Sequence, residues 1–173
     1  ASPRRCVQFV VDTSGSMAGP KIEQAKAALR TFLRGLRPGD VFQIVTFASA
    51  VQTFFEQPVA ASQPNLDTAL RKIDQIAAMG GTNISGALQQ ALEAPVPPPD
   101  DGGAFLPQVV FVTDGQPTMG ITDPLQILEL TKRVDARAMR LFALGVGDEP
   151  LLARAQRAVE LHGLPQCINV LVR

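Results

Sequence analysis

The sequence predicts an α/β fold: a doubly wound, mainly parallel central sheet with one antiparallel edge strand, flanked by helices in the Rossmann-like manner. Three observations predict it. Short, continuously hydrophobic, β-branched runs alternate with longer segments of helical spacing. The short runs lack the alternating polarity of a half-exposed strand, as expected when helices cover both faces of a parallel sheet. Two of them end directly in an acid, Asp12 and Asp114, at the sheet edge where open α/β folds bind their ligands.

Taken in order, Cys6–Val11, Val41–Phe47, Val109–Thr113, Leu141–Val146 and Ile168–Val172 read as strands. Val51–Phe55 follows the second after a short polar turn and is expected to return antiparallel at an edge. Ile22, Ala25, Leu29, Phe32, Leu33 and Leu36 form one helical stripe, and Leu66, Leu70, Ile73 and Ala77 a second. Ile84, Leu88, Ala91 and Leu92 mark a third helix, Ile127, Leu130, Val134 and Ala138 a fourth, and Leu152, Ala155 and Val159 a fifth. The fourth has a clear start, because Asp123 can cap the first turn, Pro124 presets φ and Gln126 completes a capping-box spacing. Ala94–Pro107 carries five prolines and Asp100-Asp-Gly-Gly103, which reads as a solvated surface loop rather than a polyproline ligand.

A length of 173 residues with 46% hydrophobic side chains suits one domain with a substantial core, and residues 1–173 are read as a single domain taken from a longer protein. Sixteen basic residues balance sixteen acidic ones without a Lys/Arg block, which argues against nucleic acid and anionic membranes as partners. No apolar run reaches the roughly 18–20 residues of a membrane-spanning helix, so this segment is not expected to insert. Cys6 and Cys167 are too few for a disulfide framework and too far apart for a zinc site, and are expected to pack as small apolar side chains. His162, the single histidine, has no second His or Cys at ligand spacing and is read as a surface or helix-end residue.

The chemistry gathers at three places. The first strand runs into Asp12-Thr-Ser-Gly-Ser16, where an acid and two hydroxyls alternate in one turn and Gly15 is expected to let the backbone bend. Asp114-Gly115 ends the buried run Val109–Thr113, and Gly80-Gly-Thr-Asn83 precedes the third helix, where two glycines permit close approach and Thr82 offers a further hydroxyl. Carboxylate and hydroxyl oxygens suit Mg²⁺, with Mn²⁺ or Ca²⁺ as alternatives, whereas softer metals seek Cys or His. An isolated Asp-Gly or Ser-Gly-Ser is ordinary turn chemistry; three such segments at matching strand ends point to one cation.

Asp12-x-Ser14-x-Ser16, Thr82 and Asp114 resemble, in type and order, the metal-ion-dependent adhesion site of von Willebrand factor A domains, over a stretch from about Arg5 to Leu152. A narrower likeness lies in Gly80-Gly-Thr-Asn-Ile84 and Thr113-Asp-Gly-Gln-Pro-Thr-Met-Gly120, which look like inter-alpha-trypsin inhibitor heavy chains and their bacterial relatives. The resemblance implies that Ser14, Ser16 and Thr82 ligate the metal, while Asp12 and Asp114 act through charge and bound water. It also implies a strand order 3-2-1-4-5-6. First and last strands would then lie about 14 Å apart, which excludes a Cys6–Cys167 bridge. After Leu152 the sequence departs from the pattern, so the last strand and a covering helix are not defined by it.

The expected function is a divalent-cation-dependent protein-binding module, monomeric and not an enzyme, whose Mg²⁺ accepts an Asp or Glu carboxylate from a protein partner. Thr118 and Met119, after Asp114, are expected to shape that surface. The resemblance leans toward the cell envelope or the extracellular space. One rival is a Mg²⁺-dependent phosphoester hydrolase. Against it, Ser14 stands where paired-acid enzymes need a second carboxylate, and a Gly-Lys-Ser/Thr phosphate loop is missing. Another is a structural domain with a vestigial metal site.

Overall fold

The computed structural model describes residues 3–114 and 140–146. Strand β1 (Arg5–Asp12) leads through a short 3-10 turn (Gly15–Met17) into helix α1 (Pro20–Arg34), and strands β2 (Val41–Phe47), β3 (Val51–Thr53) and β4 (Val59–Ala60) follow. Helices α2 (Gln63–Asp74) and α3 (Ile84–Glu93) then precede β5 (Leu106–Thr113) and β6 (Arg140–Gly145). The strand order is β3-β2-β1-β5-β6, with β4 also on β2. Neighbours β2-β1, β1-β5 and β5-β6 are parallel, while β3 and β4 run antiparallel to β2. The expected α/β architecture and its antiparallel edge are therefore present.

Strand β1 is buried along its whole length. Val7, Phe9 and Val11 face α1 and α2, in one core with Phe32, Leu29, Ile44, Ile73 and Val110. Val10 faces the other way, into a core with Val45, Phe47, Leu88, Ala91 and Phe111 beside α3. Successive side chains of a strand alternate between faces, so two cores require an unbroken apolar run. Gln8, on the α3 side, is tolerated because its amide donates to Ala91 O at 2.8 Å.

Boundaries shift where register extends a strand beyond its apolar run. Leu106 and Pro107, read as the end of the proline-rich loop, join β5, because Leu106 pairs with Arg5 and Pro107 with Cys6. Pro107 is tolerated there as the second residue of the strand, close to its start. Helix α2 stops at Asp74, short of Ala77, since Gln75 and Ile76 turn back through their amides to Lys72 O and Ile73 O. Phe54 and Phe55 leave the edge strand and pack on the α1/α2 core. The expected fourth helix, opened by Asp123 and Pro124, the fifth, the strand Ile168–Val172, Gly115, Thr118, Met119, His162 and Cys167 lie outside the described residues.

At the amino end of the sheet, Asp40 is clamped by Arg5. Arg5 N donates to Oδ1 at 2.9 Å, its Nε and Nη2 reach Oδ2 at 3.0 and 2.5 Å, and Arg37 N adds a bond at 2.9 Å. Burial pushes the Asp40 carboxyl up, but these donors and the Arg5 charge outweigh it and leave the pKa lowered. Cys6 beside it is buried and unbridged, and burial raises its thiol to about 12; among the two cysteines, the packing role expected for Cys6 holds.

A carboxyl with a lowered native pKa stabilises the fold above its unfolded pKa and loses that contribution as pH falls through the native value. Asp40→Ala leaves the Arg5 guanidinium buried and unpaired, and should destabilise by about 3–5 kcal/mol. Urea unfolding at pH 7 should show the midpoint drop at unchanged m-value. The difference from wild type should shrink below about pH 4.

Candidate metal centre

The parallel register sets the site. Asp12 pairs with Phe47, and Val11 with Val112, so β1, β2 and β5 end at one level. Asp12 and the residues just after β5 thus meet at the carboxyl edge, on either side of which α1 and α3 cross from opposite faces. This is the crevice where strand order reverses.

Asp12 is fully buried and both its oxygens are engaged. Ser14 N donates to Oδ1 at 2.9 Å and Thr113 Oγ1 donates to Oδ2 at 2.8 Å. Burial raises the Asp12 pKa, hydrogen bonds from Ser14 and Thr113 oppose this, and the charge of Asp114 pushes it further up. Two acids at the ends of the paired strands β1 and β5 therefore lie within each other's electrostatic reach. Asp114 itself has a side chain only 2% exposed, with Lys21 Nζ 3.5 Å from Oδ2.

Ser14 is buried and Ser16 is exposed, and their hydroxyl oxygens lie 3.0 Å apart. The Gly80–Thr82 loop is stitched to this turn by the main chain: Gly15 N donates to Gly80 O at 2.9 Å and Met79 N to Thr13 O at 2.8 Å. Thr82 is buried beside them. Ser49 Oγ accepts from Gly81 N at 2.8 Å, Asn83 N donates to Ala48 O at 2.9 Å, and the Asn83 side chain caps α3 at Gly86 N. The structure therefore brings Asp12, Ser14 and Ser16 into one hydrogen-bonded turn, sets Asp114 within electrostatic reach of Asp12, and ties the loop carrying Thr82 to the same turn.

Gly15 departs from expectation, while Gly80 makes the close approach expected of it. Gly15 is not among the positive-φ glycines, and a Cβ there would meet Gly80 O at an ordinary 3.5 Å. The bend falls instead on Gly80, with φ at 83° and only 3.1 Å from a virtual Cβ to Ser49 Oγ, a conformation that favours glycine.

The donor set is consistent with a hard cation. Among the described residues no three His, Cys, Asp or Glu side chains form a metal-holding group, so any cation here must draw on hydroxyls as well as the two acids. Adjacent corners of an octahedron with bonds of about 2.0–2.1 Å lie about 2.9 Å apart, close to the Ser14–Ser16 spacing. Thr113, Lys21 and Met79 were not legible as site residues. Thr113 carried a signal, a hydroxyl directly before Asp114. Met79, 69% exposed, is the one large apolar side chain exposed among the described residues, and nothing in its sequence context set it apart.

Fold and site together define a von Willebrand factor A-type domain: residues 6–167 match the family model of the von Willebrand factor type A domain, and the chain belongs to that family. Within it, the chain is similar to inter-alpha-trypsin inhibitor heavy chain H1 of Sus scrofa, at 38% identity over 169 residues. The match covers 94% of this chain but 18% of that protein, so the chain spans under a fifth of the relative's length. Among solved structures it resembles the von Willebrand factor type A protein from Catenulispora acidiphila (TM-score 0.76, 18% identity, 92% of this chain and 42% of the other). It also resembles the manganese-loaded TRAP protein of Plasmodium vivax (TM-score 0.65, 20% identity, 96% and 66%). The narrower likeness to inter-alpha-trypsin inhibitor heavy chains holds as expected.

Because Asp12 holds protons more tightly folded than unfolded, ionising it costs stability as pH rises through its raised native pKa. Asp12→Asn keeps an acceptor for Ser14 N and removes the charge facing Asp114. In chelator at pH 7 this variant should be more stable than wild type by about 0.5–2 kcal/mol, which calorimetry reads as a higher Tm; a lower Tm would contradict the like-charge account.

Proposed function

We propose that the chain is a divalent-cation-dependent protein-binding module in which Asp12, Ser14, Ser16, Thr82 and Asp114 hold Mg²⁺, and a partner's Asp or Glu carboxylate completes its coordination. The observation that carries this reading is the 3.0 Å pair of serine hydroxyls beside a buried, hydrogen-bonded Asp12. Since both Asp12 oxygens already accept hydrogen bonds, its role is to orient the Ser14 turn and to supply negative charge. Ser14, Ser16 and Thr82 offer neutral oxygens. A cation bound mainly by neutral donors supplies an electrophilic position that attracts an outside anion.

The rim supports a protein partner. Ser16 and Met79 are exposed on either side of the Gly15–Gly80 contact, so an acidic side chain reaching the site would have an apolar neighbour to pack on. A groove of about 660 Å³ lies beside Met79 and Gly80, lined also by Thr13, Ala48, Ser49 and Gln75. The manganese-loaded fold neighbour and family membership support a divalent cation, Mg²⁺ first and Mn²⁺ or Ca²⁺ as substitutes. No described helix is long and apolar enough to cross a membrane. The domain acts as a non-enzymatic monomer at the cell envelope or outside the cell, and no observation favours phosphoester hydrolysis.

Calorimetric titration of the chelator-treated chain with Mg²⁺ and Mn²⁺ tests the site. Saturable one-site binding is expected, reduced about 100-fold or more in Asp12→Ala and at least about tenfold in Ser14→Ala. Capture of acidic-peptide ligands should require the cation and vanish in chelator. Undiminished capture by Asp12→Ala in chelator would sink the carboxylate reading, and Mg²⁺-dependent release of phosphate from a generic phosphoester would favour the hydrolase.

A further inference from the structure

Lys21 sits where helix physics disfavours it. It is the second residue of α1, after Pro20, and the amino end of a helix carries a partial positive charge that repels ammonium groups. Glu23 in the same turn is the residue expected there. Yet the Lys21 ammonium is not turned out to pair with solvent: Nζ lies 3.5 Å from Asp114 Oδ2, crossing from α1 to the end of β5. The pair is asymmetric. The Asp114 side chain is 2% exposed and that of Lys21 is 37% exposed, so a buried acid is met by a cation reaching in from the rim.

The need for such a cation follows from the acids. Asp12 is fully buried, and the Asp114 charge acts on it unfavourably. Buried carboxylates facing one another are costly unless positive charge lies near. Lys21 supplies one such charge, on a flexible stem that can withdraw into water without disturbing the helix. A divalent ion drawing on Asp114 and the serine hydroxyls would stand within a few ångströms of that ammonium, and like charges at that distance repel.

We propose that Lys21 is a built-in counter-cation of the site: its ammonium pairs with Asp114 in the metal-free domain and must yield Asp114 when a divalent cation enters. This rests on the metal-binding reading above. Lys21 thereby does two things. It stabilises the metal-free fold by compensating Asp114, and it sets the cation affinity below what the oxygen donors alone would give. Released, the ammonium remains at the rim, from which an incoming carboxylate would approach.

The test compares wild type, Lys21→Met and Lys21→Arg in the 173-residue chain. Methionine keeps the stem and removes the charge; arginine keeps the charge. Calorimetry with MgCl₂ alone should give about tenfold tighter binding for Lys21→Met, within the range expected for losing a half-exposed like charge, and an affinity near wild type for Lys21→Arg. Thermal unfolding in chelator should show Lys21→Met less stable than wild type, with the gap closing at saturating Mg²⁺. A double-mutant cycle with Asp114→Asn in chelator should show positive coupling. Equal Mg²⁺ affinity in wild type and Lys21→Met overturns this inference and leaves the metal site standing. Absence of binding in wild type and both variants overturns the metal reading and this inference with it, while binding by Lys21→Met alone supports both in their strongest form.

Discussion

Strand β1 is hydrogen-bonded along both edges, to β2 and to β5, and packed on both faces. Everything described here depends on that placement. Parallel partners on either side hold β1, β2 and β5 in a register that ends them together, so that side chains distant in sequence arrive at one edge. A one-residue slip of β1 would reverse which core each side chain faces, burying Gln8 among the aromatic residues around Phe9 and carrying Asp12 away from Thr113. Two apolar cores and one polar edge thus enforce the same register.

The two ends of this strand treat acids in opposite ways. Asp40, at the amino end, is surrounded by the donors of Arg5 and Arg37 and is held ionised. Asp12, at the carboxyl end, is equally buried but faces another acid and has neutral donors only, and its pKa goes up. The first arrangement serves stability. The second leaves negative charge incompletely neutralised at a rigid, mostly buried point, which is the electrostatic condition for recruiting a cation. Stability given up at such a point is recovered elsewhere in the fold, in the packed cores beneath it.

Main-chain bonds, with the Ser49 and Thr113 hydroxyls beside them, join the loops of this edge. Gly15 to Gly80, Met79 to Thr13 and Asn83 to Ala48 tie the β1 turn, the α3 entry and the β2 turn into one frame. The Ser14 and Ser16 hydroxyls are positioned by this frame, while those of Ser49 and Thr113 help to fasten it. Around it stand groups of contrasting character, the Lys21 ammonium, the exposed Ser16 and the apolar Met79, which give the rim the mixed chemistry of a recognition surface.

How much of this was legible depends on whether a feature is local. Periodicity revealed the alternation of strands and helices, because burial on two faces leaves its mark residue by residue in runs such as Phe9–Val11 and Val41–Phe47. The polar signature Asp12-x-Ser14-x-Ser16, Thr82 and Asp114 was equally readable, since its members sit at or next to a strand end or a helix start that the sequence marks. Lys21, Thr113 and Met79 were not, for their significance lies in which strand end, carboxylate or loop they meet across the fold. Nor could composition tell that Gly80, not Gly15, takes the positive φ, because a backbone angle adopted where loops pack together leaves no local mark. The sequence by itself determined the class of fold and the kinds of oxygen available at its edge; only the tertiary structure decided their mutual distances, the opposite pKa shifts of Asp12 and Asp40 and the ammonium that meets Asp114, because charges interact through space and not along the chain.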